Sequence, residues 1–207
     1  VPPGHVLTWR DGQVTIARWW DCEPRPADPR LTTVEAWAEA VAPTLREAIE
    51  LHTVADVPVG AYLSGGLDSS TIVAALASRG AALHTFCVGY GPEGASYEER
   101  PQARALARHF GLSFHALELR ADIIEDLEPL VRGFDEPFGS WAALLGYHLA
   151  RFARERVTVA LAGDGGDEVF GGYPRYRGLL LSERVDRVPA AATRLAARAL
   201  RMLGEPT

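Results

Sequence analysis

Two short runs, Val6 to Trp9 and Gln13 to Trp20, flank the turn pair Asp11-Gly12 and predict a β-hairpin. Cys22 to Pro29 holds three prolines in eight residues and reads as a linker. From Thr33 to Ala55 the apolar positions recur with helical period: Val34, Trp37, Val41, Leu45, Ala48, Ile49 and His52 fall near one face. Thr32 or Thr33 can cap this helix, Glu35 and Glu39 suit its positive end, and Pro43 predicts a kink or a split. Beyond it the period alternates. Strands are expected over Val57–Leu63, Leu83–Val88, Phe114–Leu119 and Val157–Ala162. Helices are expected over Asp68–Arg79, Tyr97–Phe110, Asp122–Arg132 and Trp141–Arg156, the first two closed by Gly80 and Gly111. A last helical stretch starts at Tyr173 and is broken by Pro189.

Strands alternating with helices mean βαβ units, so the fold class is α/β: a parallel twisted sheet with helices on both faces, plus an N-terminal hairpin and a C-terminal helical segment. Right-handed crossovers bring every strand's carboxyl end to one sheet edge, where ligands bind. Ser64-Gly65-Gly66 and Gly163-Asp164-Gly165-Gly166 both leave strands on that edge, so a site is expected between them.

Composition removes several classes. Of 207 residues, 47% are hydrophobic and 23% charged, near the globular average, which argues against disorder and collagen-like repeats. No apolar run reaches the roughly 18 residues of a membrane helix. Val1 to Gly4 carries neither the charged nor the apolar region of a secretory signal, and Cys22 and Cys87 form neither a disulfide framework nor a metal-site spacing. The expected setting is reducing and cytoplasmic, without a membrane partner. A net charge of −6 speaks against a nucleic-acid partner. All 21 basic residues are arginine, so this sequence supplies no lysine base, Schiff base or phosphate-gripping lysine. The six histidines are scattered, with no pair at metal-ligand spacing on one element.

Leu63-Ser64-Gly65-Gly66-Leu67-Asp68-Ser69-Ser70 joins a strand to a helix. Small residues let backbone N–H groups approach an anion, three hydroxyls add donors, and the helix N-terminus adds positive potential. Asp68 would repel a phosphate unless a cation stood between them, which implies Mg²⁺. Bare Ser-Gly-Gly would equally fit a capped turn; the full run after a strand favours the anion loop. Neither GxxxxGK[ST] nor GxGxxG fits. The second run, Ala162-Gly163-Asp164-Gly165-Gly166-Asp167-Glu168, places three carboxylates within five residues at a strand end. Their repulsion is on the order of a few kcal/mol and calls for a metal or a proton. Asp167 suits a second Mg²⁺ ligand facing Asp68, and Asp164 either a general base or a group that positions an amine.

Together the two runs, with Gly171-Gly172-Tyr173 and Phe134-Asp135-Glu136-Pro137-Phe138, resemble the synthetase domain of glutamine-dependent asparagine synthetases, in the ATP pyrophosphatase superfamily. The likeness runs from about Val34 to Tyr176. It implies an adenine nucleotide alpha hydrolase-like fold and a ligase that makes an acyl-adenylate and pyrophosphate from ATP, then amidates it with ammonia from glutamine. By position, Ser64, Gly65, Gly66, Ser69 and Ser70 would hold pyrophosphate. Asp68 and Asp167 would bind Mg²⁺. Leu63, Val88 and Gly163 would contact adenosine, with Ala162 beside them in place of a frequent serine. Asp164 would stand at the acyl-adenylate.

The resemblance reads residues 1–30 as the tail of a glutaminase domain plus linker, and 31–207 as a synthetase domain cut short at its C-terminus. The family's catalytic lysine is expected beyond that point, so the segment alone is expected to bind nucleotide without useful turnover. Arg175 and Arg177 are candidate stand-ins. The expected partners are ATP, a small carboxylate, most simply aspartate, and an upstream glutaminase domain; a homodimer stays open. Competing readings are a tRNA-thiolating or GMP-forming ATP pyrophosphatase, a cyclising synthetase of the β-lactam or lasso-peptide type, and a non-catalytic nucleotide binder. Thiolation would want further cysteines, and RNA binding a basic surface.

Overall fold

A computed structural model describes residues 1–23, 26, 28–80, 82–91, 98–119, 126–135, 139–140 and 142–185. The chain forms two compact units, residues 1–46 and 47–207. In the first, β1 (His5–Arg10) and β2 (Gln13–Arg18) pair antiparallel from His5↔Arg18 to Arg10↔Gln13. Asp11 and Gly12 both adopt left-handed φ, +50° and +80°, the twist a two-residue hairpin needs. Helix α1 (Val34–Leu51) starts where Thr33 Oγ1 accepts the Ala36 N–H at 3.1 Å. It runs unbroken through Pro43, so the proline does not split the helix.

The second unit holds the sheet. Four parallel strands, β3 (Val59–Tyr62), β4 (His84–Tyr90), β5 (Ser113–Leu119) and β6 (Val159–Leu161), lie in the order β5-β4-β3-β6. Helix α2 (Leu67–Ala77) links β3 to β4, and α3 (Arg100–His109) links β4 to β5. Helices α4 (Leu127–Phe134) and α5 (Ala142–Arg154) lie between β5 and β6. After β6 come α6 (Gly166–Phe170) and α7 (Pro174–Val185). The expected starts at Tyr97, Asp122 and Trp141, the Glu136–Phe138 part of the Phe134–Phe138 run, and the break at Pro189 lie outside the described residues. Helix α6 was not expected; its Gly-rich, acidic sequence carries no helical period.

Both sheet faces are covered, as the alternating pattern required. Phe86 of β4 is fully buried and packs edge-on against Phe152 of α5, with centroids 6.0 Å apart. Gly89, of opposite parity on the same strand, lies against Arg100 of α3. Ala61, Leu63, Val73, Ala103 and Ala107 complete the apolar interior on the β3, α2 and α3 side. Thr85, fully buried, donates its hydroxyl to Ser113 O at 2.9 Å, so its burial leaves no polar group unpaired. From β3 the chain proceeds outward through β4 to β5, then returns past β3 to β6. The carboxyl ends of β3 and β6 therefore flank the point where the winding reverses, the usual ligand crevice of such sheets.

Candidate active site at the strand switch point

Leu63 extends β3 by one residue: its N–H donates to Phe86 O at 2.8 Å and its side chain is buried in the core. The chain then turns. Ser69 Oγ accepts the Ser64 N–H at 3.2 Å, lies 3.0 Å from Ser64 Oγ, and donates to Gly66 O at 3.3 Å. Ser64 Oγ also accepts the Gly66 N–H at 3.2 Å. The hydroxyls thus brace the loop that the sequence reads as an anion cradle. Helix α2 starts at once, with Gly66 as its N-cap and no side-chain capping bond, leaving first-turn N–H groups for a ligand.

The loop after β6 closes on this turn. A Cβ at Gly163 would stand 3.0 Å from Ser69 N, and one at Gly166 would stand 2.5 Å from the Asp68 carboxyl carbon. Only glycine allows so close an approach. The result is one cleft of about 380 Å³. From the first loop Tyr62, Ser64, Gly66, Leu67, Asp68 and Ser69 line it. From the second, Ala162, Gly163, Asp164, Gly165, Asp167, Glu168 and Tyr173 do.

Most of the sequence-selected residues meet here, but four of those assigned to nucleotide or metal do not line the cleft, and neither do the candidate stand-ins Arg175 and Arg177. Leu63 is in the core. Gly65, at φ +84°, turns against α3, where a Cβ would stand 2.8 Å from Gln102 Cβ. Ser70 lies within α2's first turn, its N–H bonded to Gly66 O at 3.1 Å. Val88 is half-buried on β4. Five residues of the lining carried no assigned role in the sequence: Tyr62, Leu67, Gly165, Glu168 and Tyr173. Tyr62 shares strand parity with Ser64, a signal that was present. Glu168 was seen only as part of an acidic run; it accepts the Tyr173 hydroxyl at 2.7 Å.

The electrostatics are one-sided. Asp68, Asp164, Asp167 and Glu168 share the cleft, and no arginine or histidine lines it among the described residues. Tyr173's hydrogen bond holds the Glu168 carboxyl below the ordinary range, and the same bond raises the Tyr173 phenol. Tyr62 is raised by burial and, less, by the charge of Asp164. Arg175 stacks on the Tyr173 ring, 4.1 Å from its centroid. Cys87 does not line the cleft, and burial pushes its thiol up to about 11; Cys22 is exposed.

A hard divalent cation suits this donor set. Among the described residues no group of three His, Cys, Asp or Glu could hold a metal. Asp68 and Asp167 do line one cleft. Mg²⁺ characteristically takes one or two carboxylates and completes its shell with water and substrate phosphates. The residues present fit that ion in the presence of a phosphate ligand.

The asparagine synthase family model matches residues 40–205. Asparagine synthetase [glutamine-hydrolyzing] 1 of Bacillus subtilis is 32% identical over 197 residues, covering 94% of this chain and 30% of that protein. A putative glutamine-hydrolysing asparagine synthetase of Methanocaldococcus jannaschii is 42% identical over 132 residues, covering 62% and 25%. Among solved structures, an NH₃-dependent NAD synthetase from Campylobacter jejuni superposes with a TM-score of 0.43 at 14% identity, over 65% of this chain and 60% of that one. The chain spans less than a third of the length of the two curated relatives. No helix among the described residues is long and apolar enough to cross a membrane. With the family model matched across four-fifths of the sequence and both glycine-rich loops meeting in one cleft, this chain belongs to the asparagine synthase family.

Proposed function

We propose that this chain is the ATP-using, amide-forming part of a glutamine-dependent asparagine synthetase. The observation that carries the reading is the single cleft that the two loops form at the switch point. Ser64, Gly66 and Ser69, with the first-turn N–H groups of α2, bind the β- and γ-phosphates, the part of ATP that leaves as pyrophosphate. Gly65 and Ser70 shape that loop from behind rather than from the cleft surface. Leu63, Val88, Ala162 and Gly163 form the adenosine side, Gly163 and Ala162 at the surface and the other two through the sheet.

Asp68 and Asp167 would hold Mg²⁺, which would neutralise phosphate charge and offset the repulsion among the four carboxylates. An acceptor carboxylate oxygen, from aspartate in the simplest case, attacks the α-phosphorus, and the bond from that phosphorus to the α–β bridging oxygen breaks. Ammonia then attacks the acyl carbon, and AMP leaves with the phosphate-bound oxygen. Asp164, in the cleft lining, accepts a proton from the attacking nitrogen or orients it. Ammonia comes from a glutaminase domain upstream in the parent protein. Arg175 and Arg177 follow the acidic loop, and Arg175, stacked on Tyr173, is the better placed to stabilise phosphate charge.

The test has two arms. Calorimetry of the 207-residue chain should give ATP binding that requires Mg²⁺. In the parent protein, AMP and pyrophosphate should appear in equal amounts and only with both acceptor and ammonia. Release of ADP and phosphate instead would overturn the assignment, because cleavage would then fall between the β- and γ-phosphates.

A further inference from the structure

We propose that Arg100 is a positioning residue for the nucleotide cleft, acting through the first turn of α3 on the Gly65 loop. Three observations meet at this side chain. Glu118 stands opposite Gly89 in the β4–β5 register, so both lie on the α3 face of the sheet. Arg100 occupies the space above Gly89: the three nearest atoms to a Cβ built there all belong to Arg100, at overlapping distances. Its guanidinium then ties two carboxylates together. Nη1 donates to Glu118 Oε2 at 3.0 Å, Nε donates to Glu98 Oε1 at 2.7 Å, and Nη2 reaches Glu98 Oε2. The Arg100 backbone N–H also donates to Glu98 Oε1, at 3.0 Å. The Arg100 and Glu98 side chains are each 22% exposed, whereas Glu118 is 57% exposed, so the Glu98 side of the clamp is the better shielded.

The clamp is placed where it matters. Arg100 opens α3, and two residues later Gln102 and Ala103 form the wall against which Gly65 turns. A Cβ at Gly65 would meet Gln102 Cβ at 2.8 Å and Ala103 N at 3.0 Å, and Ala103 is fully buried. The first turn of α3 therefore fills the layer between the β4–β5 face and the glycine loop. With Arg100 held on Glu118, that turn has one height above the sheet. Gly65, and through it the Ser64–Ser69 bracing, has one position. Arg100, Glu118, Gln102, Ala103 and Gly65 do not line the cleft, so Arg100 acts at one remove.

The proposal rests on the reading of the cleft as a nucleotide site, and the experiment separates the two. In the ligand-free chain, hydrogen exchange of the Gly66 amide, bonded to Ser64 Oγ, should quicken about 10-fold in Arg100→Ala, the usual scale of coupling through a packed contact. Phe86→Leu, on the opposite sheet face, should lower the melting temperature without that local change. Mg·ATP affinity should fall about 10-fold in Arg100→Ala, at a temperature where both proteins are fully folded. Gly89→Ala, which displaces the guanidinium, should copy both effects, and should add nothing in the Arg100→Ala background. Should Arg100→Ala not fold, Glu118→Gln loosens the same clamp and should move exchange and affinity in the same direction. Unchanged Gly66 exchange in folded variants of Arg100 and Glu118 would overturn the proposal. Absence of Mg·ATP binding by the unaltered chain would instead sink the nucleotide reading and leave the exchange result to decide the coupling.

Discussion

After β3 the chain turns through Ser64, Gly65 and Gly66 with its hydroxyls already bonded to one another and its back against α3. After β6 it turns through Asp164, Gly165 and Gly166 with carboxylates facing the cleft and only a five-residue helix behind them. The first loop is stabilised by packing and by internal hydrogen bonds, which persist without a ligand. The second gathers like charges, of which Glu168 is held by the Tyr173 hydroxyl and the rest call for a metal or a proton. A phosphate cradle works best when rigid, since ordering it on binding would cost affinity. The metal edge proposed for the second loop would draw its ion with carboxylates that the protein itself compensates only at Glu168, through the Tyr173 hydroxyl. Stability and function are therefore divided between the loops.

The largest effect expected from this division is on the rigid side. Gly65→Ala forces a Cβ into φ +84° and against Gln102 and should destabilise the chain by about 3 kcal/mol in urea unfolding. A loss under about 1 kcal/mol would mean that α3 does not hold the loop. Next is Asp68→Asn. It should weaken Mg·ATP binding about 100-fold, or about 2.7 kcal/mol, while leaving stability equal or higher because a like charge is removed. Calorimetry with and without Mg²⁺ checks it; an affinity equal to wild type would take Asp68 out of the metal's shell.

Ser69→Ala removes a buried hydroxyl that bonds to the Ser64 N–H and to Gly66 O, and should cost about 1.5 kcal/mol of stability. Asp164→Asn, the matching change on the second loop, should cost none. Equal losses in the two variants would erase the contrast.

The smallest effect lies in the sheet beneath both loops. His84 Nδ1 and His115 Nε2 lie 2.9 Å apart across β4 and β5. His115 is held below its ordinary 6.5 by burial first, then by Arg156 and His84. A lowered folded value means the unfolded chain binds more protons in the window between the two. The contribution is complete above pH 6.5 and is lost as pH falls through the folded value. Urea midpoints from pH 7.5 down to 5 should show a modest decline that His115→Gln flattens and Asp164→Asn leaves intact. A decline that disappears with Asp164→Asn would place the acid sensitivity in the loop.

Strand order was not written in any one segment, but the alternation of apolar runs with capped helices required a parallel sheet, and that sheet is present. Element boundaries moved by a few residues: β3 and β6 end where their backbone groups run out of ladder partners, and α2 starts one residue early, at Leu67 after its Gly66 cap. Helix α6 was illegible because neither its composition nor its length provides a helical period. Tyr62 and Glu168 were legible in hindsight, one by strand parity and one by proximity to the carboxylates already singled out.

The sequence by itself determined the two loops, their positions after strands, and the chemistry they carry. Glycine permits tight backbone, serine supplies donors and aspartate attracts a hard cation, wherever the loop is placed. Only the tertiary structure decided which of those side chains face the cleft. Asp68 and Ser69 do and Ser70 does not, because successive helical residues point about 100° apart and only packing fixes the phase. It also decided that Gly65 and Gly89 serve α3 rather than a ligand. Those contacts join residues distant in the chain, and a local pattern cannot encode what a neighbouring element will press against it.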